Sequence, residues 1–124
     1  MAAVTLDLIE STTHAALVRH GCRDDIAADV ARAVRVAEHN GNRICGLYYV
    51  ESYCRQLESG RLPGDVVPVV HHDRPGSVRV DARFGFAQKA FRVGFDTALD
   101  AARANGVVGY AIQHSTTCTS LGYF

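Results

Sequence analysis

The sequence predicts a mixed α/β (α+β) fold, in which an amino-terminal three-helix unit precedes an incomplete strand–helix–strand unit. Apolar residues recur at helical spacing through the first half of the chain, and the pattern then changes to short β-branched runs. One further long helical stripe separates the last two of these runs. We therefore divide the chain into a helical domain, 1–64, and the start of an α/β domain, 65–124.

Three helices are predicted in the first domain, over residues 5–20, 24–38 and 45–58. Gly21 and Gly41 follow the first two, and glycine is the residue that most easily takes the left-handed conformation after a helix. The third helix is expected to bury four apolar side chains at helical spacing, namely Leu47, Val50, Cys54 and Leu57.

The second domain begins with a β-branched run at 65–70, which predicts an edge strand because Pro68 lacks an amide proton. Residues 77–81 alternate and predict a half-exposed strand, 86–104 predict a long helix, and 107–112 predict an apolar strand. So few strands make a poor independent sheet. We therefore expect a homo- or hetero-oligomer, or a later segment of the chain, to complete the sheet.

Composition excludes several classes of protein. Lysine plus arginine total 13, as do aspartate plus glutamate, so no global field attracts nucleic acid or a membrane surface. There is no long apolar run and no basic leader, and the four cysteines lack C-x-x-C spacing. The sequence thus predicts a cytoplasmic protein with reduced thiols and no metal site.

Three segments follow one another in the order and spacing of a known family. The matching residues are Ala37, Glu38, Gly41, Gly46, Tyr53, Leu57 and Gly60, then Val80, Asp81, Gly85 and Gln88, and last Ser115, Gly122 and Tyr123. In these motifs the chain resembles the malate/L-lactate/ureidoglycolate dehydrogenase family over nearly its whole length. The resemblance implies NAD(P)-dependent reduction of 2-keto acids or cyclic imine acids, a small-molecule substrate, and a nucleotide-binding domain that lies mostly after Phe124.

The chain departs from the family where the family keeps its active-site groups. Cys45 aligns with the first histidine, Tyr49 with a carboxylate-binding arginine, and Thr117 with the second histidine. A histidine of near-neutral pKa donates a proton well, and an arginine fork binds a carboxylate in two places. A shifted register would instead bring His39 and Arg43 to these roles, but it loses two glycine matches.

The polar run after the last predicted strand is the other candidate site, because loops at strand ends often carry function. The candidate catalytic residues are Cys45, His114, Thr117, Cys118 and His39, the candidate substrate contacts are Tyr49 and Arg43, and the candidate cofactor contacts are Ser115 and Thr116. Cys45 also fits a plain buried helix residue.

Three functions remain open on the sequence. The first is a divergent NAD- or NADP-dependent reductase, and the second is a repurposed scaffold. The third is a non-catalytic partner subunit that pairs through an exposed strand at 107–112. The repurposed scaffold would use cysteine, histidine and threonine for acyl transfer, hydrolysis or cyclisation, as one chain of a split or processed enzyme.

Overall fold

A computed structural model of the chain describes residues 3–116 and 121–123. Its helices are α1 Leu6–Arg19, α2 Asp24–His39, α3 Val50–Glu58 and α4 Ala87–Asn105, its strands are β1 Val69–Arg74, β2 Ser77–Asp81 and β3 Gly109–Gln113, and short 3₁₀ turns lie at Arg43–Cys45, Leu47–Tyr49 and Leu121–Tyr123. The predicted mixed α/β class is confirmed. Within the described residues, no helix combines the length and apolar character needed to cross a membrane.

The helical unit forms one core. The Thr5 side chain caps α1 by accepting a hydrogen bond of 3.2 Å from the Leu8 amide, which satisfies one of the unpaired donors at the helix start. The core contains Leu17, Cys22, Ile26, Ala27, Val30, Tyr53, Cys54, Leu57, Leu62 and Phe86. Leu17 is fully buried, which stabilises the fold by roughly 1.5–3 kcal/mol. Phe86 comes from the second predicted domain, so the two parts share this core.

Cys22 lies in the core of the helical unit. Its side chain is only 4% exposed. Burial is the main reason that the pKa of this thiol rises to about 12, and the nearby Asp25 carboxylate adds to the effect. Cys22 therefore behaves as a small apolar core residue.

The third helix begins later than predicted. Two 3₁₀ turns replace its first turns, and α3 starts at Val50. The Glu38 carboxylate accepts a hydrogen bond of 2.8 Å from the Leu47 amide, so this amide pairs with a side chain rather than with a helix carbonyl. Leu47 consequently lies before the helix and is exposed, where the sequence predicted that it would be buried.

The sheet has the order β1-β2-β3. β1 is antiparallel to β2, and β2 is parallel to β3, with α4 as the crossover between them. Val78 and Val80 are fully buried between the sheet and α4. The helix approaches closely at Gly94, where a Cβ would lie 2.4 Å from Val80 Cγ2.

Two strand boundaries differ from the prediction. β1 runs over Val69–Arg74 rather than 65–70, because its pairing with β2 across the Pro75-Gly76 turn fixes its register. β3 starts at Gly109, opposite Ser77, rather than at residue 107. His71 and His72 therefore lie within β1.

Ion pairs join the two units. Lys89 Nζ on α4 lies 2.9 Å from Asp25 Oδ2 and 3.3 Å from Asp29 Oδ2 on α2. Burial alone lowers the pKa of Lys89, but the hydrogen bond to Asp25 and the charge of Asp29 raise it by more. The pair thus stays charged and fixes α4 against α2.

Candidate functional site

The carboxyl ends of β2 and β3 lie at the same edge of the sheet because the two strands are parallel. The loops that follow them run side by side. The amide of Ala82 donates to the carbonyl of Gln113 at 2.9 Å, and the amide of Phe84 donates to the carbonyl of His114 at 2.6 Å. A third bond of 3.1 Å runs from the Thr116 amide to the Gly85 carbonyl. Ligands of open α/β sheets commonly bind at such an edge.

Three residues of these loops have left-handed backbone conformations. The φ angles are 50° at Arg83, 64° at Phe84 and 52° at His114. Residues other than glycine rarely take this conformation, and each instance costs on the order of 1–3 kcal/mol. The hydrogen bonds between the two loops hold these residues in place. Such strain is often found where a protein fixes a side chain for binding or catalysis.

Asp81, the last residue of β2, is the centre of a hydrogen-bond network. Its Oδ1 accepts from the Arg83 amide at 2.8 Å and lies 3.1 Å from His114 Nδ1. Its Oδ2 accepts from Gln113 Nε2 at 3.3 Å, and Gln113 Oε1 accepts in turn from Arg79 Nη1 at 3.0 Å. The Arg83 amide, and then the His114 and Gln113 side chains, hold the pKa of Asp81 below its usual range. Asp81 is therefore an anion at neutral pH.

The imidazole of His114 is held but remains accessible. The Phe84 ring stacks on it with a centroid distance of 5.3 Å and an interplanar angle of 30°. About half of the His114 side chain is exposed (51%), compared with 24% for Asp81. The loop arrangement thus fixes one edge of the ring against Asp81 and leaves much of the rest open to a ligand.

Sequence reasoning selected His114 but missed Asp81 and Phe84. Asp81 appeared only as a match to a family motif, and Phe84 gave no recognisable pattern. Asp81 and His114 are 33 positions apart in the chain. They meet only because β2 and β3 pair in parallel with Asp81 opposite Gln113. The matched Val80-Asp81 motif at the end of a predicted strand was the signal that could have found Asp81.

The two predicted cofactor contacts lie in the same loop but differ in their hydrogen bonds. Ser115 is exposed, and its hydroxyl has no hydrogen-bond partner among the residues that the structure describes. The Thr116 hydroxyl donates to the Phe84 carbonyl. Thr117 and Cys118, two of the predicted catalytic residues, lie outside the described residues.

The loop that bears Cys45 has a defined backbone. The Cys45 amide donates to Asn42 Oδ1 at 3.4 Å, and Gly46 packs so tightly on Glu38 that a Cβ would lie 2.2 Å from Glu38 Oε1. Glu38 and Gly46, which take part in this contact, both match the family motif. The contact therefore favours the alignment in which Cys45 stands opposite the first family histidine. Cys45 itself is half-buried, and His39 and Arg43 are exposed.

Tyr49 belongs to a row of aromatic rings. It makes an edge contact with Tyr48 at a centroid distance of 5.2 Å and stacks on Tyr53 at 6.2 Å. Tyr53 meets Phe86 edge-on at 5.5 Å. The rings thus connect the Cys45 loop to the loop after β2, although no hydrogen bond or ion pair between described side chains joins Cys45 to His114. Beside Tyr49 and Tyr48 lies a surface cavity of about 390 Å³.

No group of three or more histidine, cysteine, aspartate or glutamate side chains within residues 3–116 and 121–123 could hold a metal ion. The described part of the chain therefore offers no metal ligand set to consider beside the Asp81–His114 pair.

The chain matches a family model described as malate/L-lactate dehydrogenase over residues 4–124. It is 36% identical over 98 residues to the Δ1-pyrroline-2-carboxylate/Δ1-piperideine-2-carboxylate reductase of Pseudomonas syringae pv. tomato. This alignment covers 79% of this chain and 29% of the relative. The enzyme of the same name from Pseudomonas putida is 33% identical over 107 residues, covering 86% of this chain and 31% of the relative.

Solved structures give the same result for the fold. The Δ1-piperideine-2-carboxylate reductase from P. syringae matches with a TM-score of 0.87 and 31% identity, over 93% of this chain and 35% of that chain. The malate dehydrogenase from Entamoeba histolytica matches with a TM-score of 0.88 and 20% identity, over 98% of this chain and 34% of that chain. This chain spans about a third of the length of these relatives.

Proposed function

The chain belongs to the malate/L-lactate dehydrogenase family, and we propose that it forms the amino-terminal part of a reductase that acts on small cyclic imine carboxylates. The observation that carries this proposal is the difference in identity between two kinds of relative. The matched cyclic imine reductases of P. syringae and P. putida are 31–36% identical to the chain, whereas the E. histolytica malate dehydrogenase structure is 20% identical and supports the fold alone.

Imine reduction also fits the replaced residues better than keto-acid reduction does. A carbonyl oxygen needs a proton as it becomes an alkoxide, so a keto-acid reductase depends strongly on a well-placed acid. The nitrogen of a cyclic imine is far more basic, and it takes up a proton before or during hydride addition. The nitrogen still gains one proton overall, but a donor elsewhere in the site can supply it, so Cys45 and Thr117 need not act as acids.

A nicotinamide dinucleotide, NAD or NADP, supplies the hydride when it is bound. The residues at the ends of β2 and β3 fit such a group, because the Ser115 hydroxyl, which has no partner among the described residues, can donate to a phosphate or ribose oxygen at this edge of the sheet. The Thr116 hydroxyl already donates to the Phe84 carbonyl. It therefore contributes chiefly by fixing the loop.

The substrate carboxylate needs a cationic or hydrogen-bonding partner. Arg43 is exposed and has no ion pair with any residue that the structure describes, so its guanidinium is available for this role. The Tyr49 ring is 40% exposed beside the surface cavity and offers a phenol donor. We propose that these two residues replace the family's carboxylate-binding arginine.

The described residues favour this function over a reaction at the Cys45 thiol. A nucleophilic thiol needs a base within hydrogen-bond reach. Among the described residues, Cys45 makes only a backbone hydrogen bond, to Asn42. We therefore propose that Cys45 has a structural and not a catalytic role in the loop that carries the first histidine in the family.

The partner proposal depends on β3. This strand lies at one edge of the described sheet, and Val107 just before it is 74% exposed. An unpaired strand edge readily accepts another strand. We propose that a later segment or a second chain pairs with β3. Light scattering of the purified protein tests this, and a monomer in which the β3 amides exchange as freely as loop amides would contradict it.

The reductase proposal is tested with the protein purified at its natural length. Oxidation of NADH and NADPH is followed with Δ1-pyrroline-2-carboxylate, Δ1-piperideine-2-carboxylate, pyruvate and oxaloacetate. We expect turnover of at least one imine, with a kcat/KM at least about tenfold above that for either keto acid. Preference for a keto acid, or no turnover of any of the four, would remove the proposal.

A further inference from the structure

We propose that His114, oriented by Asp81, is the proton donor for this reaction, so that the acid has moved from positions 45 and 117 to the end of β3. This inference rests on the proposed reductase function. It assigns two residues to that reaction: His114 would contact the substrate nitrogen, and Asp81 would position His114.

The hydrogen bonds around Asp81 determine which His114 nitrogen carries a proton. An ionised carboxylate only accepts hydrogen bonds, and Asp81 Oδ1 lies 3.1 Å from His114 Nδ1. The Nδ1 atom must therefore hold a hydrogen in both charge states of the ring. Nε2 is then the atom that gains and loses the second proton. The contact with Asp81 thus fixes which nitrogen exchanges protons with a ligand.

The carboxylate that orients His114 is itself held in place. Asp81 cannot easily turn away, because the Arg83 amide holds Oδ1 at 2.8 Å and Gln113 holds Oδ2 at 3.3 Å. Arg79 fixes Gln113 in turn at 3.0 Å. The orientation of His114 is therefore set by β2 as well as by its own loop.

The Phe84 ring limits the other motion of the imidazole. It stacks on the ring at 5.3 Å, and both residues hold left-handed backbone conformations that a loop would not adopt without its hydrogen bonds. The imidazole is thus prepositioned with about half of its surface open. A proton donor needs this combination of fixed orientation and access.

The hydride adds to the carbon of the C=N bond, and the π electron pair moves to nitrogen. That nitrogen takes the proton from His114 Nε2, so the imine becomes a secondary amine and the imidazolium becomes neutral imidazole. Solvent then reprotonates Nε2, which is accessible because the side chain is 51% exposed. The reaction consumes one reduced nicotinamide dinucleotide and one proton for each amine formed.

The orienting role of Asp81 is tested by ¹⁵N NMR of the imidazoles in the purified protein, which reports the tautomer of each neutral ring. A His114→Gln spectrum assigns the His114 signals. We expect the Nδ1–H tautomer in the unmodified protein, and a shift toward Nε2–H in Asp81→Ala, where the acceptor is lost. An Nε2–H tautomer in the unmodified protein, or no change in Asp81→Ala, would overturn the inference whether or not the enzyme is active.

The donor role is tested by kinetics with the preferred imine. We expect His114→Gln to lower kcat by roughly 10²–10⁴-fold with less change in the KM of the nucleotide. Asp81→Asn keeps an acceptor for the Arg83 amide but loses the charge, and it should lower kcat by roughly ten- to a hundredfold. An unchanged kcat in His114→Gln would contradict the role of this residue. The reductase function would still stand in that case, provided that the unmodified enzyme turns over imines. Absence of turnover by the unmodified protein would remove both.

Discussion

The two regions where the family resemblance predicts active-site groups differ in what they hold. The loop around Cys45 keeps a tightly fitted backbone, in which Gly46 packs on Glu38 and the Leu47 amide donates to the Glu38 carboxylate at 2.8 Å. Its side chains make few polar contacts. The loops after β2 and β3 show the reverse, since strained backbone there supports an imidazole held by a carboxylate at 3.1 Å.

The family-matched backbone and the candidate proton donor therefore lie in different loops. In the Cys45 loop, a thiol stands at the position that aligns with the family's first histidine. The His114 loop has a titratable ring, a fixed partner and an open surface. The Cys45 loop therefore shows the relation to the family, and we expect proton transfer at the His114 loop.

The largest stability effect should come from the residue that joins the two regions. Phe86 is 2% exposed and meets Tyr53 edge-on at 5.5 Å. Phe86→Ala should lower the free energy of unfolding by about 3–5 kcal/mol, because it leaves a cavity in the shared core. Urea unfolding measures this. Phe84→Ala is the matched control, since that ring is 63% exposed, and its loss should stay near 0.5 kcal/mol. Equal losses for the two variants would mean that the regions are not joined through Phe86.

A smaller effect should be confined to the Cys45 loop. Gly46→Ala would place a Cβ 2.2 Å from Glu38 Oε1, so the carboxylate must swing away from the Leu47 amide. We expect a loss of about 1 kcal/mol, which is the size of one hydrogen bond. In the Glu38→Ala background the same substitution should cost nearly nothing. Gly76→Ala, where a Cβ would meet no atom within 4 Å, is the control. A full loss in the Glu38→Ala background would show that Glu38 does not shape the loop.

The smallest effect should appear on acidification, at the junction of α2 and α4. Hydrogen bonds from Arg23 and then Lys89 hold the pKa of Asp25 well below its usual range. A depressed carboxyl pKa stabilises the folded protein above the unfolded value of about 3.9, and this stabilisation is lost as the pH falls below it. Urea unfolding between about pH 5 and about pH 2 should therefore show falling stability.

Two variants sharpen the acid experiment. Asp25→Asn should flatten the fall in stability, because it removes the proton uptake at the junction. Asp24→Asn is the matched control, since its carboxylate is 84% exposed and its one ion pair among the described residues is with His14, at 3.0 Å. A fall in stability that is as steep in Asp25→Asn as in the unmodified protein would show that the junction does not depend on this charge.

The sequence predicted the class of the fold and most of its helices because their apolar stripes are local patterns. In the helix predicted at 24–38, for example, the apolar side chains at helical spacing are buried, namely Ile26, Val30, Ala33 and Val34. It did not predict the break before Val50 or the shift of β1, because Glu38 and the register with β2 act across the chain. For the same reason it found His114 but not Asp81. A contact between residues 33 positions apart has no local pattern.

We propose that His114, and not Cys45, transfers the proton. This is tested most directly by the kcat of His114→Gln and Cys45→Ala for Δ1-pyrroline-2-carboxylate, measured in parallel with saturating nucleotide. We predict that His114→Gln loses roughly 10²–10⁴-fold in kcat while Cys45→Ala stays within about twofold of the unmodified enzyme. The opposite order, with activity lost in Cys45→Ala and kept in His114→Gln, would contradict it.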